Sequence, residues 1–225
     1  MSYKKNVVKK PWGYEYLVYE NEHVALWFLS IFKDQKTSMH CHPNKTTGLM
    51  VINGNAEVSF LSNKIELRDP EKVMIRKGLF HSTQAINSDL SIFEVETPVN
   101  KHDLVRLEDK YGRTGQPYED SSKELPKAED CVWIEDPEKG KNHIYNFDEK
   151  KITVHHLSDL DHLQDLMLKP IMHVMFLRGG ILTEYGVNVA GPGDVVAKDV
   201  LQRLLMVFHN LSDNTVVLIH EGDHT

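Results

Sequence analysis

Apolar and polar residues alternate with a period close to two along most of the chain, which is the pattern of half-buried β-strands. In the first half the strand-like segments are short, rich in valine, isoleucine and phenylalanine, and separated by turn-forming residues: Ala25–Phe32, Gly48–Ile52, Ala56–Leu61, Lys72–Ile75 and Leu90–Val95. Short strands at such close spacing are typical of β-sandwiches and β-barrels. The pattern therefore predicts an all-β fold.

The same pattern returns after a long polar segment. Glycines and prolines are scattered through the charged residues 104–141, which favours a linker between two domains. We expect a first barrel over residues 1–113, a linker over 114–142 and a smaller second barrel over 143–225. The strand-like segments of the second half are Ile152–Leu157, His173–Leu177, Asp194–Ala197, Leu204–Phe208 and Thr215–Ile219.

The two halves resemble each other as a weak internal repeat. Residues 48–58 can be laid on 173–183, and residues 71–81 on 193–203, which indicates one β unit used twice. One segment differs in kind. Where the first half has the histidine-containing residues 38–46, the second has leucines 157, 160 and 163 behind Ser158, the pattern of a short helix with a serine N-cap. We therefore expect the second barrel to be degenerate and to lack a metal site.

Composition and charge exclude several classes of function. The 26 lysines and arginines against 33 acidic residues give a net charge of −7, which argues against nucleic acids or anionic membranes as partners. The longest apolar stretch, Val24 to Phe32, is far shorter than the roughly 20 residues that span a bilayer. The N-terminal residues lack the apolar region of a secretory signal, and Cys41 and Cys131 do not form a disulfide framework, so we expect a cytoplasmic protein.

The segment His40-Cys41-His42 carries the most specific chemical signal. Residues two apart on a strand point to the same face, so the two histidines project together. His81, which follows the turn-like residues 76–78, can add a third imidazole from another strand. Three imidazoles form one side of a metal's coordination sphere and leave positions open for water or substrate. We expect His40, His42 and His81 to bind one divalent transition metal, such as Zn, Mn, Fe, Co or Ni.

These residues resemble the two motifs of the cupin family. The first motif is HxH followed by a glutamate and a glycine, matched by His40, His42 and Gly54, and the second ends in a histidine, matched by His81. Thr47 stands at the position of the family's usual glutamate ligand. The resemblance implies a tandem cupin, with double-stranded β-helix or jelly-roll barrels, and a metal held by three neutral histidines.

A narrower resemblance covers roughly the first half of the chain. The sequences at 10–19 (KPWGYEYLVY), 80–87 (FHSTQAIN), 92–98 (IFEVETP) and 103–113 (DLVRLEDKYGR) are similar to the cupin domain of type II mannose-6-phosphate isomerases. The resemblance implies metal-dependent interconversion of an aldose phosphate and a ketose phosphate. It makes a phosphorylated or nucleotide-linked sugar the expected substrate of an isomerase or epimerase.

Such a reaction needs a group that polarises a carbonyl, a base near the reacting carbons, and positive charge for the phosphate. Glu94 and Glu96 share one side of their strand and are the candidate bases, and Lys45 is a candidate acid or phosphate ligand. The remaining candidates for binding substrate are Arg106, Arg113 and Thr47.

Two other functions remain open on the sequence. Because Thr47 replaces the usual carboxylate ligand, the first alternative is a three-histidine non-haem Fe(II) dioxygenase. The second is a non-catalytic bicupin that binds a sugar. Since small barrels expose strand edges that are usually paired or covered, we also expect a homodimer.

Overall fold

The computed structural model describes residues 5–108 and 125–222, which divide into two compact units between Trp133 and Ile134. The strands of the first unit are β1 (Val7–Lys10), β2 (Gly13–Glu20), β3 (Ala25–Ile31), β4 (Met39–Cys41), β5 (Thr46–Asn53), β6 (Asn55–Phe60), β7 (Lys64–Arg68), β8 (Lys72–Ile75), β9 (His81–Ala85), β10 (Leu90–Thr97) and β11 (Val105–Glu108). A short 3-10 helix spans Ala128–Asp130.

The first unit is a barrel made of two sheets between which the chain alternates. Its six-stranded sheet has the order β1-β2-β3-β10-β5-β8, and its five-stranded sheet the order β11-β4-β9-β6-β7. The strand pairs are antiparallel. This two-sheet winding is the double-stranded β-helix, and it confirms the all-β prediction.

A core of alternate residues fills the space between the two sheets. Leu49, Val51 and Ile92 come from one sheet, and Ala56 and Val58 from the other; all five are almost completely buried. Since alternate residues share a face, the same inner surface receives Glu94 and Glu96 of β10, whose neighbour Val95 points the other way. Charged side chains of this strand are thereby brought to the inside of the barrel.

The second unit comprises β12 (Asn142–Phe147), β13 (Lys150–His156), α1 (Leu160–Leu166), β14 (Ile171–Arg178), β15 (Ile181–Leu182), β16 (Asn188–Ala190), β17 (Val195–Ala197), α2 (Lys198–Leu205), β18 (Asn210–Leu211) and β19 (Val216–Glu221). Its sheets have the orders β12-β13-β19-β14-β17 and β16-β15-β18. These orders repeat β2-β3-β10-β5-β8 and β7-β6-β9 of the first unit strand for strand. The helix α1 takes the place in the chain that β4 occupies in the first unit, as the repeat predicts.

Two local predictions in the second unit are wrong. Leu204–Phe208 is not a strand, because its first residues end the helix α2. Leu201 and Leu205 are buried four residues apart, and Asp199 pairs with Arg203 at the same spacing, which is helical periodicity. The N-cap of α1 is Asp159 and not Ser158, since the Asp159 carboxylate accepts the His162 backbone N–H at 2.8 Å.

Candidate functional site

Three histidines meet inside the first barrel. His40 lies on β4 directly opposite His81 on β9, and His42 follows β4 by one residue. The ring centroids are 4.5 Å apart for His40 and His81, 5.0 Å for His40 and His42, and 5.6 Å for His42 and His81. One ring nitrogen from each lies within 4.8 Å of the other two. The alternation of β4 and the pairing of β4 with β9 thus bring the predicted residues together.

The hydrogen bonds of the rings fix which nitrogens face the centre. The Nδ1 atoms of His40, His42 and His81 lie 2.8, 2.6 and 3.0 Å from the backbone oxygens of Ser38, Asp103 and Leu79. A carbonyl oxygen only accepts, so we assign a proton to each Nδ1, which leaves each Nε2 with a free lone pair. Among the described residues, the buried His42 Nε2 has no hydrogen-bond partner. Three basic nitrogens in one place form a donor set that fits a transition metal.

The surroundings keep these rings neutral. Burial lowers the pKa of His40 well below its usual value, and the adjacent His81 and His42 add to the effect. Burial lowers the pKa of His81 to about 4, against the opposing effect of its bond to Leu79. The pKa of His42 is lowered by burial and then by the charge of Lys45. Neutral imidazole is the form that binds a metal, and here it persists well below neutral pH.

A carboxylate lies beside the three rings. Glu94 comes from β10, and its Oε1 lies 3.9 Å from His42 Nε2, with 14% of the side chain exposed. Burial and the neighbouring Glu96 carboxylate raise the pKa of Glu94 to about 7. Glu94 therefore exchanges a proton near neutral pH, which is the property required of a general acid or base.

Glu96 is held in a buried ion pair with Lys45. Lys45 Nζ donates to Glu96 Oε1 at 2.6 Å, and only 1% and 5% of the two side chains are exposed. His42, Glu94 and Glu96 form a second group with ligand atoms close enough for a metal. In this group the Lys45 ammonium already supplies the positive charge beside Glu96.

Of the predicted substrate-binding residues, the structure describes Thr47 and Arg106. Thr47 is fully buried and lies opposite Glu96 in the β5–β10 ladder; its hydroxyl has no partner within the described chain. Arg106 lies opposite His40 in the β4–β11 ladder, and its charge contributes to lowering the pKa of that histidine. Arg113 lies outside the described residues.

Two charged groups of the first unit were not predicted from the sequence, and the first of them is Asp103. The Asp103 carboxylate accepts the backbone N–H of Asn44 and of Lys45, and its backbone oxygen binds His42. The aspartate that opens the DLVR motif was a signal for it. Separately, the buried Glu15 lies 3.2 Å from Lys10 Nζ and 2.8 Å from Lys101 Nζ.

Within the described residues of the second unit, no group of side chains is equivalent to the three histidines. Over residues 5–108 and 125–222, both groups with metal-binding potential lie in the first unit. In the second unit, Leu163 and Leu166 of α1 pack in a core with Val174, Phe176 and Val217. The helix that replaces the first unit's histidine strand thus contributes leucines to this core. No helix in the described part of the chain is long and apolar enough to cross a membrane.

The first unit matches a known protein family. Residues 2–109 match the sequence profile of the family described as "Mannose-6-phosphate isomerase C-terminal". No curated protein matches the chain.

Several solved structures are similar to part of this chain. KdgF from Halomonas sp. is 14% identical over 42% of this chain and 89% of its own, with a TM-score of 0.40. A conserved protein with a double-stranded β-helix domain from Klebsiella pneumoniae is 18% identical over 42% and 79%, with a TM-score of 0.39. A cupin-2 domain protein from Shewanella frigidimarina is 19% identical over 40% and 83%, with a TM-score of 0.35. From its sheet winding and its sequence match, the first unit is a cupin-type domain that resembles the C-terminal domain of mannose-6-phosphate isomerases.

Proposed function

We propose that the first barrel is a divalent-metal-dependent isomerase or epimerase that acts on a phosphorylated or nucleotide-linked sugar. The observation that carries the proposal is the convergence of three neutral imidazoles, from His40, His42 and His81, beside the Glu94 carboxyl group. The match of residues 2–109 to the mannose-6-phosphate isomerase family supports the substrate class.

The three Nε2 atoms would hold the metal, which would polarise the sugar carbonyl and so acidify the adjacent C–H bond. During isomerisation Glu94 takes the proton from that carbon and returns it to the former carbonyl carbon, while the hydroxyl proton of the first carbon passes to the former carbonyl oxygen. The carboxylate therefore ends the cycle in its starting state. In epimerisation Glu94 takes the proton from one face, water supplies a proton to the opposite face of the same carbon, and Glu94 then releases its proton to solvent. Glu94 suits this role because it is partly accessible and lies 3.9 Å from His42 Nε2.

Charged residues around the rings complete the proposed site. Arg106, opposite His40 on β11, would bind the phosphate together with Arg113. Lys45 and Glu96 would act as a pair: Glu96 keeps Glu94 proton-accepting near neutral pH, and Lys45 compensates the second negative charge. Thr47 would direct its unpartnered hydroxyl to the substrate.

The test is to incubate the metal-loaded full chain with a panel of aldose phosphates, ketose phosphates and nucleotide sugars in D₂O and to follow them by ¹H NMR. The proposal predicts interconversion, or solvent deuterium at the carbon next to the carbonyl, for at least one member of the panel. Glu94→Gln should slow the exchange by about 10²–10⁴-fold, whereas Glu57→Gln, on a different strand of the barrel, should retain it. Absence of both signals across the panel would refute the proposed reaction.

The position of Thr47 favours one alternative activity. No carboxylate projects from β5 at the family's usual ligand position, and a three-histidine Fe(II) dioxygenase has the same ligand set. Oxygen consumption by the Fe(II)-loaded chain, without sugar isomerisation, would support this alternative. Sugar binding without turnover by any metal form would support a non-catalytic bicupin.

A further inference from the structure

The three histidines are not oriented in the same way. His40 and His81 each bind a backbone oxygen only two residues earlier in their own segment, at Ser38 and Leu79. His42 instead binds the backbone oxygen of Asp103, which is 61 residues away. Hydrogen bonds within their own segments therefore set the orientations of the His40 and His81 rings. The orientation of the His42 ring depends instead on the path that the chain takes after β10.

The Asp103 side chain fixes the position of the chain where it passes the His42 ring after β10. One carboxylate oxygen accepts the backbone N–H groups of Asn44 and Lys45, at 2.8 and 3.0 Å. The other accepts the Asn44 side-chain amide at 2.8 Å. Asp103 is 6% exposed, and these bonds hold its pKa below the usual range although burial acts in the opposite direction. A charged acceptor with three N–H donors is a strong anchor.

Asp103 therefore contacts both the His42 ring and the turn that follows it. Through its backbone oxygen Asp103 orients the His42 ring, and through its carboxylate it fixes the turn that leads from His42 to Lys45. We propose that Asp103 is a positioning residue, which sets the tautomer and direction of His42 and thereby the metal affinity of the three-histidine group. The effect on metal affinity rests on the proposed function; the effect on the His42 tautomer does not.

Other contacts should keep the barrel folded without the carboxylate. The His42 backbone oxygen accepts the Gly78 N–H at 2.8 Å, and β4 pairs with both β9 and β11. Asp103→Ala should therefore leave the fold intact and release the His42 ring. Asp103→Asn keeps an oxygen for the two backbone N–H groups, so it should restore the wild-type properties in large part.

The experiment measures two quantities on the full chain. Long-range ¹H–¹⁵N NMR of the metal-free protein gives the tautomer of His42, and a competition titration with Zn²⁺ gives the metal affinity. For Asp103→Ala we expect loss of the single Nδ1–H tautomer and a fall in affinity of about 10–100-fold, the range for groups that orient metal ligands. Asp89→Ala is the matched control, because Asp89 also accepts a distant backbone N–H, that of Lys33, in the same unit.

Each outcome decides the proposal. Wild-type tautomer and affinity in Asp103→Ala would overturn it, as would equal losses in Asp89→Ala. If wild type binds neither Zn²⁺ nor Co²⁺, Mn²⁺, Ni²⁺ or Fe²⁺ in the same titration, the proposed function fails, and the His42 tautomer alone still decides the role of Asp103. If Asp103→Ala does not fold, Asn44→Ala removes one of the three bonds; it should give a smaller shift in the same direction, and no shift would refute the proposal.

Discussion

The buried ion pair between Lys45 and Glu96 allows a quantitative test of the site's electrostatics. Its two charged atoms are 2.6 Å apart, and both side chains are at most 5% exposed. Removing one partner leaves the other charge buried and uncompensated, which typically costs about 3–5 kcal/mol. We therefore expect Lys45→Met and Glu96→Leu each to lower the free energy of unfolding by about this amount.

The double variant should recover much of the loss, because replacing a buried pair with apolar side chains is often neutral or stabilising. The coupling energy from the double-mutant cycle should therefore exceed about 2 kcal/mol. The three tryptophans, Trp12, Trp27 and Trp133, all lie in the first unit, so their fluorescence during urea denaturation reports on the unfolding of this barrel.

The pair formed by Lys64 and Glu57 is a matched control. Its atoms are also 2.6 Å apart, but 66% of the Lys64 side chain is exposed. Solvent screening should make Lys64→Met nearly neutral. The reasoning is refuted if Lys45→Met destabilises no more than Lys64→Met, or if the effects of Lys45→Met and Glu96→Leu simply add.

Three further predictions concern pH and metal. Burial raises the pKa of Glu15, but Lys10 and Lys101 outweigh it and hold that pKa at about 2, below the ordinary 4.5. The resulting stabilisation, about 3 kcal/mol from this shift, is present above pH 4.5 and lost as the pH falls towards 2. Acid titration followed by tryptophan fluorescence should therefore show that Glu15→Gln loses less folding stability over this pH range than wild type does. Because burial and Glu96 raise the pKa of Glu94 to about 7 without a metal, and a bound cation would lower it, the proposed isomerase activity should rise with pH to a midpoint at or below 7; Glu94→Gln should lower kcat by about 10²–10⁴-fold and remove this rise. Thr47→Glu should increase metal affinity by adding a carboxylate, and isothermal titration with Mn²⁺ measures the change; unchanged affinity would place residue 47 away from the metal.

The histidine group was predictable from the sequence because its geometry follows from local rules. Two histidines separated by one residue on a strand share a face, and the family motif identifies His81 as the third. The same alternation predicts that Glu94 and Glu96 share one side of their strand; the structure then shows that this side is the one that carries Ile92 into the barrel core. These predictions required only the strand period and the order of the strands.

The partners of these residues depend on register and could not be predicted in this way. Lys45 meets Glu96 because β5 and β10 pair with Thr47 opposite Glu96, and no local pattern gives that alignment. Asp103 reaches His42 across 61 residues, through a return of the chain that the sequence does not encode locally. The error at Leu204–Phe208 has a local cause: five consecutive apolar residues suit a buried strand and a helix end equally well.

A Co²⁺ titration of the full chain, followed by visible absorption, tests the central claim that the three histidines hold one metal ion. We predict d–d bands that saturate at about one equivalent in wild type and are lost in His42→Ala, while His102→Ala, at an exposed histidine, matches wild type. Absence of saturable bands in wild type, or their persistence in His42→Ala, would contradict the account.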